Sequence, residues 1–211
     1  TSRKPALEKN TISVELTEDG TLNGMLRTNY GNLNALNFRS SNNHIKEDAL
    51  INKLEEKHNI EIEDFRVLNK KNISKPISQI AKFSSEDLVE EINGKLYINS
   101  LLFLTQKENP FKSEERKFPV DFSSPWKDIN TISIQIPEGF KIETTPENLA
   151  IGLPDNLGSF KFQITSTGNK IKVQSILQFN SSIISPEYYP VLKEFYGKVV
   201  DKQLEKIVLT K

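Results

Sequence analysis

Histidines are the first residues to consider for chemistry, because an imidazole can act as a base or bind a metal. The chain has two, His44 and His58, and both fall near the ends of one predicted helix. A helical metal site needs two histidines four residues apart on one face, and these two are much farther apart. The dipole at a helix C-terminus also favours a partly cationic His58 without any ligand. The sequence therefore predicts no metal site.

Adjacent acidic residues are the next candidates, since a carboxylic acid and a carboxylate can together cleave a glycosidic bond. The chain has such neighbours at Glu18-Asp19, Glu86-Asp87, Glu90-Glu91 and Glu114-Glu115. Neighbouring residues of a strand point to opposite faces, and those of a turn point to solvent. We therefore predict that these pairs are solvated, and that a working pair would have to come from distant segments.

Several classes of chemistry need motifs that this chain lacks. It has no cysteine, which excludes thiolate catalysis and cysteine-ligated zinc. It has no Gly-x-Ser-x-Gly elbow, P-loop or Gly-x-Gly-x-x-Gly fingerprint, so we predict no catalytic residue and no cofactor. The 28 basic residues balance the 28 acidic ones, which argues against a nucleic-acid partner. No apolar run approaches the ~20 residues that span a bilayer.

Four residues remain as candidates for an interface or a binding surface. Trp126 is either a platform for stacking a sugar or, more commonly, a loop residue that covers a sheet edge. Tyr188 and Tyr189 are of the type enriched at protein interfaces, although packing in the core is the favoured interpretation. Arg116 is predicted to pin its segment by pairing with Asp121 or Glu114.

Hydrophobic alternation and turn residues predict the elements that must position these side chains. Asp19-Gly20, Asn93-Gly94 and Gly168-Asn169 each predict a hairpin turn. Helical spacing predicts one helix between residues 43 and 59 and another with Pro190 in its first turn. The apolar run Leu101–Leu104 predicts either a strand that is buried on both faces or a domain junction.

These elements predict an α+β fold that is mainly β, with two small antiparallel-sheet, sandwich-like units that each carry one helix. The break near Asn109-Pro110 predicts a boundary there. Residues 1–108 would form an N-terminal sheet-plus-helix unit. Residues 109–211 would form a C-terminal β-sandwich-like domain with a terminal helix.

The irregular segment from Asn109 to Phe122 is too specific to follow from helix or strand periodicity. Together with other motifs, it resembles the C-terminal region of bacterial envelope proteins that carry a transglutaminase-like, cysteine-protease-like core upstream. In those proteins the region is a domain of unknown function. The other motifs are Glu187-Tyr188-Tyr189, Leu192–Tyr196 and Ile207-Val208-Leu209, with Asp19-Gly20, Tyr30-Gly31 and Ala35–Arg39 as earlier matching points.

The resemblance implies a non-catalytic accessory or scaffolding region that packs on the upstream core of the same polypeptide or shapes substrate access. Such cores attack with a cysteine that a histidine activates, so this chain would lack the nucleophile. The resemblance also implies a location in the periplasm or at the cell surface. The alternatives are an independent module that binds glycans or peptides, and a hydrolase with carboxylates from distant segments.

Overall fold

The computed structural model describes residues 4–211, which form an α+β fold that is mainly β, as the sequence predicted. The strands are β1 (Ala6–Leu16), β2 (Leu22–Gly31), β3 (Glu61–Leu68), β4 (Ile77–Ser85), β5 (Val89–Ile92), β6 (Lys95–Asn99), β7 (Val120–Asp121), β8 (Trp126–Gln135), β9 (Lys141–Thr144), β10 (Leu149–Gly152), β11 (Gly158–Thr167), β12 (Lys170–Phe179), β13 (Ile183–Ile184) and β14 (Lys206–Thr210). The helices are α1 (Leu33–Asn42), α2 (Glu47–His58) and α3 (Tyr189–Leu204).

The main sheet has eight strands in the order β10-β11-β12-β8-β1-β2-β4-β3. Its neighbours pair antiparallel except for β1 and β8, which run parallel in the interior of the sheet. A parallel pair requires a long connection, which here includes the six strands β2 to β7 and the helices α1 and α2. The main sheet takes strands from both sides of residue 109, and the domain boundary at that residue stays a prediction.

Local turn chemistry produces the predicted hairpins. Asn93 and Gly94 have φ values of 53° and 76°, the left-handed conformation that both central residues of a two-residue turn require. They join β5 to β6. Gly20, with φ 89°, lies in the turn between β1 and β2, and Gly168, with φ 58°, lies between β11 and β12.

The main core brings together side chains from the main sheet, the four-stranded sheet β5-β6-β14-β9 and α3. Ile12 and Ile132 from the main sheet, Ile98 and Ile207 from the second sheet, and Leu192 from α3 are all buried in it. Packing these three elements against one another buries the apolar surface that each would otherwise expose to water. A smaller cluster packs α1 against the main sheet. It consists of Ala35 and Phe38 of α1 and Ile77 of β4.

Three sequence predictions differ from the structure. The one helix predicted in residues 43–59 is α2, but α1 precedes it and was not predicted. The strand predicted at Leu101–Leu104 is wrong, because Leu102–Leu104 form a 3-10 turn in which Leu102 has φ 52°. The segment is apolar because the turn is buried. A short apolar run in the sequence is compatible with either a buried turn or a buried strand. Trp126 begins β8 and is not a loop residue.

The terminal helix agrees with its prediction. Pro190 lies in the first turn of α3, where its missing N–H costs no helical hydrogen bond. Within residues 4–211, no helix is long and apolar enough to span a bilayer.

Candidate functional site

A row of polar side chains crosses the inner face of the main sheet. Ser175 of β12, Asn130 of β8, Asn10 of β1, Thr28 of β2 and Gln79 of β4 are direct neighbours in register. They lie on the same face as the apolar side chains two residues further along each strand, since alternate residues share a face. The polar row therefore borders the main core directly.

Asn10 holds this row together. Its buried amide nitrogen donates to Asn130 Oδ1 at 3.0 Å and to Glu8 Oε1 at 3.1 Å, and its oxygen accepts a hydrogen bond from Thr28 Oγ1 at 2.7 Å. These bonds satisfy buried groups that would otherwise be costly. They also fix the position of the Glu8 carboxylate.

Glu8 and Asp128 form a carboxyl pair in the next row. They are register neighbours on the parallel strands β1 and β8, whose backbones lie about 4.8 Å apart in such a pair. Burial, followed by the negative charge of Glu8, raises the pKa of Asp128 to about 7. The structure thus brings together two acids from distant segments.

The carboxyl pair lies where two cavities meet. The inner cavity has a volume of about 320 Å³ and reaches α2 and α3, and the outer one, of about 470 Å³, reaches α1. Glu8, Gln106 and Asp128 line both. We call the two cavities together the polar cleft.

His58 and Ser175 line the inner cavity and are almost fully buried, with exposed fractions of 8% and 1%. Burial, followed by the charge of the neighbouring Lys57, lowers the pKa of His58 to about 4, so the imidazole is neutral at pH 7. Its ring packs 4.5 Å from the ring of Phe103. His58 is therefore not the cationic helix-capping residue that the dipole argument suggested.

Serine, histidine and aspartate thus share one cavity without forming a catalytic triad. A triad needs a hydrogen bond from the serine to the histidine and another from the histidine to the acid. In the described part of the chain, neither the His58 ring nor the Ser175 hydroxyl has a hydrogen-bond partner. These groups are available to a molecule that enters the cavity.

Gln106 connects the cleft to the terminal helix. Its backbone N–H donates to Gln203 Oε1 of α3 at 2.8 Å, and its side-chain amide donates to Tyr196 Oη at 3.4 Å. Its buried Oε1 has no donor among residues 4–211. The cleft therefore contains a further unused acceptor.

Trp126, which the sequence singled out, lines the outer cavity together with Glu8 and Asp128. It is partly exposed, and its ring centroid lies 4.9 Å from that of Phe179 and 6.0 Å from that of Phe122. The aromatic neighbours hold one side of the indole while the cleft leaves part of it open.

The two predicted tyrosines lie apart from the cleft. Tyr189 is buried in the core, and its hydroxyl donates to Ser113 O at 3.0 Å. Tyr188 donates a short hydrogen bond to Asp155 Oδ2 at the surface. Tyr189 thus fastens the segment after Asn109 to α3, and core packing describes it better than an open interface does.

Arg116 is exposed, and its Nε donates to Phe118 O at 3.2 Å. The proposed pairing with Glu114 or Asp121 is not formed within residues 4–211, because Glu114 accepts from Lys193 Nζ at 2.8 Å instead. Lys193 supplies the ion pair that the sequence assigned to Arg116.

A comparison of the sequence with known protein families gives a match, which covers most of the second half of the chain and the end of the first half. Residues 94–209 match the family described as "Domain of Unknown Function with solved-structure structure (DUF3858)", which is more than half of the chain. The chain belongs to the DUF3858 family. The matched part of this DUF3858 protein includes Asp128, Ser175 and Gln203 of the cleft, whereas Glu8 and His58 precede it.

Among solved structures, the DUF3858 chain is similar to a crystal structure described as a "putative protease" from Parabacteroides distasonis ATCC 8503. The two are 19% identical with a TM-score of 0.41, and the match covers 47% of this chain and 19% of that one. No curated protein matches the chain.

Sequence reasoning missed the carboxyl pair of this DUF3858 protein, although a signal was present. Glu8 continues the inward-facing phase of the β1 residues Ile12 and Val14, and Asp128 continues that of Ile132 in β8. A charged residue in phase with a core face is a candidate for a functional group. The apolar alternation of Ile12, Val14 and Leu16 begins after Glu8, so alternation alone does not place Glu8 in the strand.

Proposed function

We propose that this chain is a non-catalytic accessory region of an envelope protein, located in the periplasm or at the cell surface. In this proposal it follows a transglutaminase-like core in the same polypeptide, packs on that core and shapes the access of substrate. The observation that supports the role is the polar cleft, which offers hydrogen-bonding groups without a coupled nucleophile. Such a cleft is suited to holding a substrate.

The unused polar groups of the cleft strengthen this argument. Leaving a buried polar group without a partner costs about 1–3 kcal/mol. Gln106 Oε1 is in this position in the described chain, and His58 and Ser175 face the same cavity without a hydrogen-bond partner. A ligand or solvent that bonds to them recovers that free energy, so the cleft favours occupancy.

A rigid connection between the cleft and the rest of the chain also supports an accessory role. Asn109 Nδ2 donates to Lys193 O at 2.8 Å, and Ser113 O accepts from both Tyr189 Oη and Lys193 Nζ. These bonds fasten the segment after residue 109 to α3, which also carries Gln203 of the cleft. A bound substrate would be held on a fixed frame.

The gene upstream of Thr1 provides the first test. We expect it to encode a transglutaminase-like core with a Cys, His and Asp set. The core is then produced with and without this chain, and kcat/KM is measured on a polypeptide substrate beside titration of the active-site thiol. The proposal requires kcat/KM to fall without the chain while the thiol titre stays constant. An upstream frame without such a core, or an equal kcat/KM, would overturn it.

The open face of Trp126 favours a second candidate function, an independent module that binds glycans or peptides. An indole beside carboxylate and amide groups provides both an apolar face and hydrogen-bonding groups for a sugar ring or a peptide. In the outer cavity these groups include Asn34 and Asn37 of α1, in addition to Glu8 and Asp128.

For this second function, Trp126→Ala is expected to weaken saturable binding to a glycan or peptide panel by at least about tenfold. The reason is loss of the stacking face. Isothermal titration on the intact chain measures the change, and thermal unfolding checks that the variant folds. Trp126→Phe serves as the matched variant because it keeps a ring against Phe179. Equal affinity for Trp126→Ala, or no binding by the wild type, would count against the module.

A further inference from the structure

We propose that the polar cleft binds a primary alkylammonium group, as carried by a lysine side chain or a linear diamine, with its nitrogen between the carboxyl groups of Glu8 and Asp128. This proposal goes beyond the accessory role and does not depend on it. The two acids are held side by side by the register of β1 and β8, at the junction of the inner and outer cavities.

The charge balance of the cleft favours a cationic ligand. Glu8 and Asp128 are like charges in a partly buried place, and a cation between them relieves their repulsion. Among the described lining residues, Lys57 is the one lysine or arginine, and it is exposed at the edge of the inner cavity. His58 is neutral at pH 7, so it does not neutralise the pair.

The hydrogen-bonding groups of the cleft also match an ammonium group. Asp128 has no hydrogen-bond donor within residues 4–211, and the buried Gln106 Oε1 has none either. The almost fully buried Ser175 hydroxyl and His58 ring face the inner cavity without partners. An ammonium group offers three N–H donors and no acceptor. It therefore complements a site with more acceptors than donors.

The walls of the cleft suit an alkyl chain more than a bare metal ion. Phe103 and Leu104 line the inner cavity and Trp126 lines the outer one, so methylene groups would find apolar contacts on both sides. The aromatic faces can also attract a cation. In the part of the chain that the structure describes, no group of three or more acidic or histidine side chains is placed to hold a metal.

Isothermal titration of the 211-residue chain tests this proposal with 1,5-diaminopentane and with Nα-acetyl-lysine N-methylamide at pH 8. Binding of the lysine derivative assigns the site to a peptide side chain, and stronger binding of the diamine assigns it to a free polyamine. Nα,Nε-diacetyl-lysine N-methylamide, which has no charge, is expected not to bind. Failure of both amines to bind at millimolar concentration would overturn the proposal.

Carboxamide variants locate the bound nitrogen. Glu8→Gln and Asp128→Asn are each expected to weaken amine binding by at least about tenfold, since each removes one of the two negative charges. Glu15→Gln is the matched control, because it makes the same change on the outer face of β1. Equal losses in Glu15→Gln and Glu8→Gln would indicate attraction to net charge alone and contradict the site. Binding of Ca²⁺ with displacement of the amine would replace it with a metal site.

The proposal of amine binding and the proposal of an accessory role can each be disproved without affecting the other. The titrations report on this chain alone, whereas the accessory role is tested by the kcat/KM of an upstream core. An amine that binds while the core is unaffected would leave the cleft as a stand-alone receptor site.

Discussion

Phe179→Ala is expected to destabilise the protein by about 3–5 kcal/mol, the cost of truncating a buried phenylalanine. Phe179 is 1% exposed at the end of β12. Its ring centroid lies 4.8 Å from Phe122, 4.9 Å from Trp126, 6.0 Å from Phe195 and 6.3 Å from Tyr196. Alanine would remove the ring that joins α3 to the wall of the cleft. Urea unfolding followed by circular dichroism measures the loss.

A phenylalanine in solvent provides the matched control for this measurement. Phe118 is 78% exposed, so Phe118→Ala is expected to change the free energy of unfolding by no more than about 0.5 kcal/mol. A loss below about 1 kcal/mol for Phe179→Ala would mean that the ring cluster does not contribute as the packing indicates.

Asp128→Asn is expected to stabilise the protein at pH 8 and to have little effect near pH 4. The native pKa of Asp128 is raised to about 7 from 3.8, so the native state resists losing this proton. The contribution of Asp128 to the free energy of unfolding of the wild type is therefore largest below pH 4, and it is lost as the pH rises to 7. The shift corresponds to at most about 4 kcal/mol, and partial solvation reduces the expected gain to roughly 2 kcal/mol.

The measurement compares urea unfolding of the variant and the wild type at several pH values. His58 contributes in the opposite direction, because its native pKa is lowered to about 4 from 6.5. Its contribution is full above pH 6.5 and is lost as the pH falls to 4. The difference between Asp128→Asn and wild type at each pH cancels that contribution. A difference that is the same at pH 4 and pH 8 would contradict the raised pKa.

Elements whose signal is local were predictable from the sequence. Asn93-Gly94 needs no more than its own backbone preference to make a tight turn, and Pro190 selects the first turn of α3. The amphipathic α2 shows helical spacing, with Leu50 and His58 both buried as that spacing indicates. Each of these signals lies within a few residues of the structure that it specifies.

Elements that depend on distant contacts were not predictable. The sequence of α1 is rich in Asn and Ser and has two buried side chains, Ala35 and Phe38, so its periodicity is weak. Glu8 and Asp128 meet only because β1 and β8 are neighbours. Alternation assigns a face to each acid but does not say which strands adjoin. The candidate site therefore needed the sheet order.

The parallel contact between β1 and β8 makes assembly of the sheet strongly non-local. Asn10 and Asn130, which hydrogen-bond across it, are 120 residues apart in sequence, and such separations slow folding because a large loop must close first. Until β8 pairs with β1, one edge of β1 exposes a long row of unpaired backbone groups, and such an edge can pair with a strand of another chain. A nascent or truncated chain that ends before Trp126 would thus carry an aggregation-prone edge at the strand that bears Glu8.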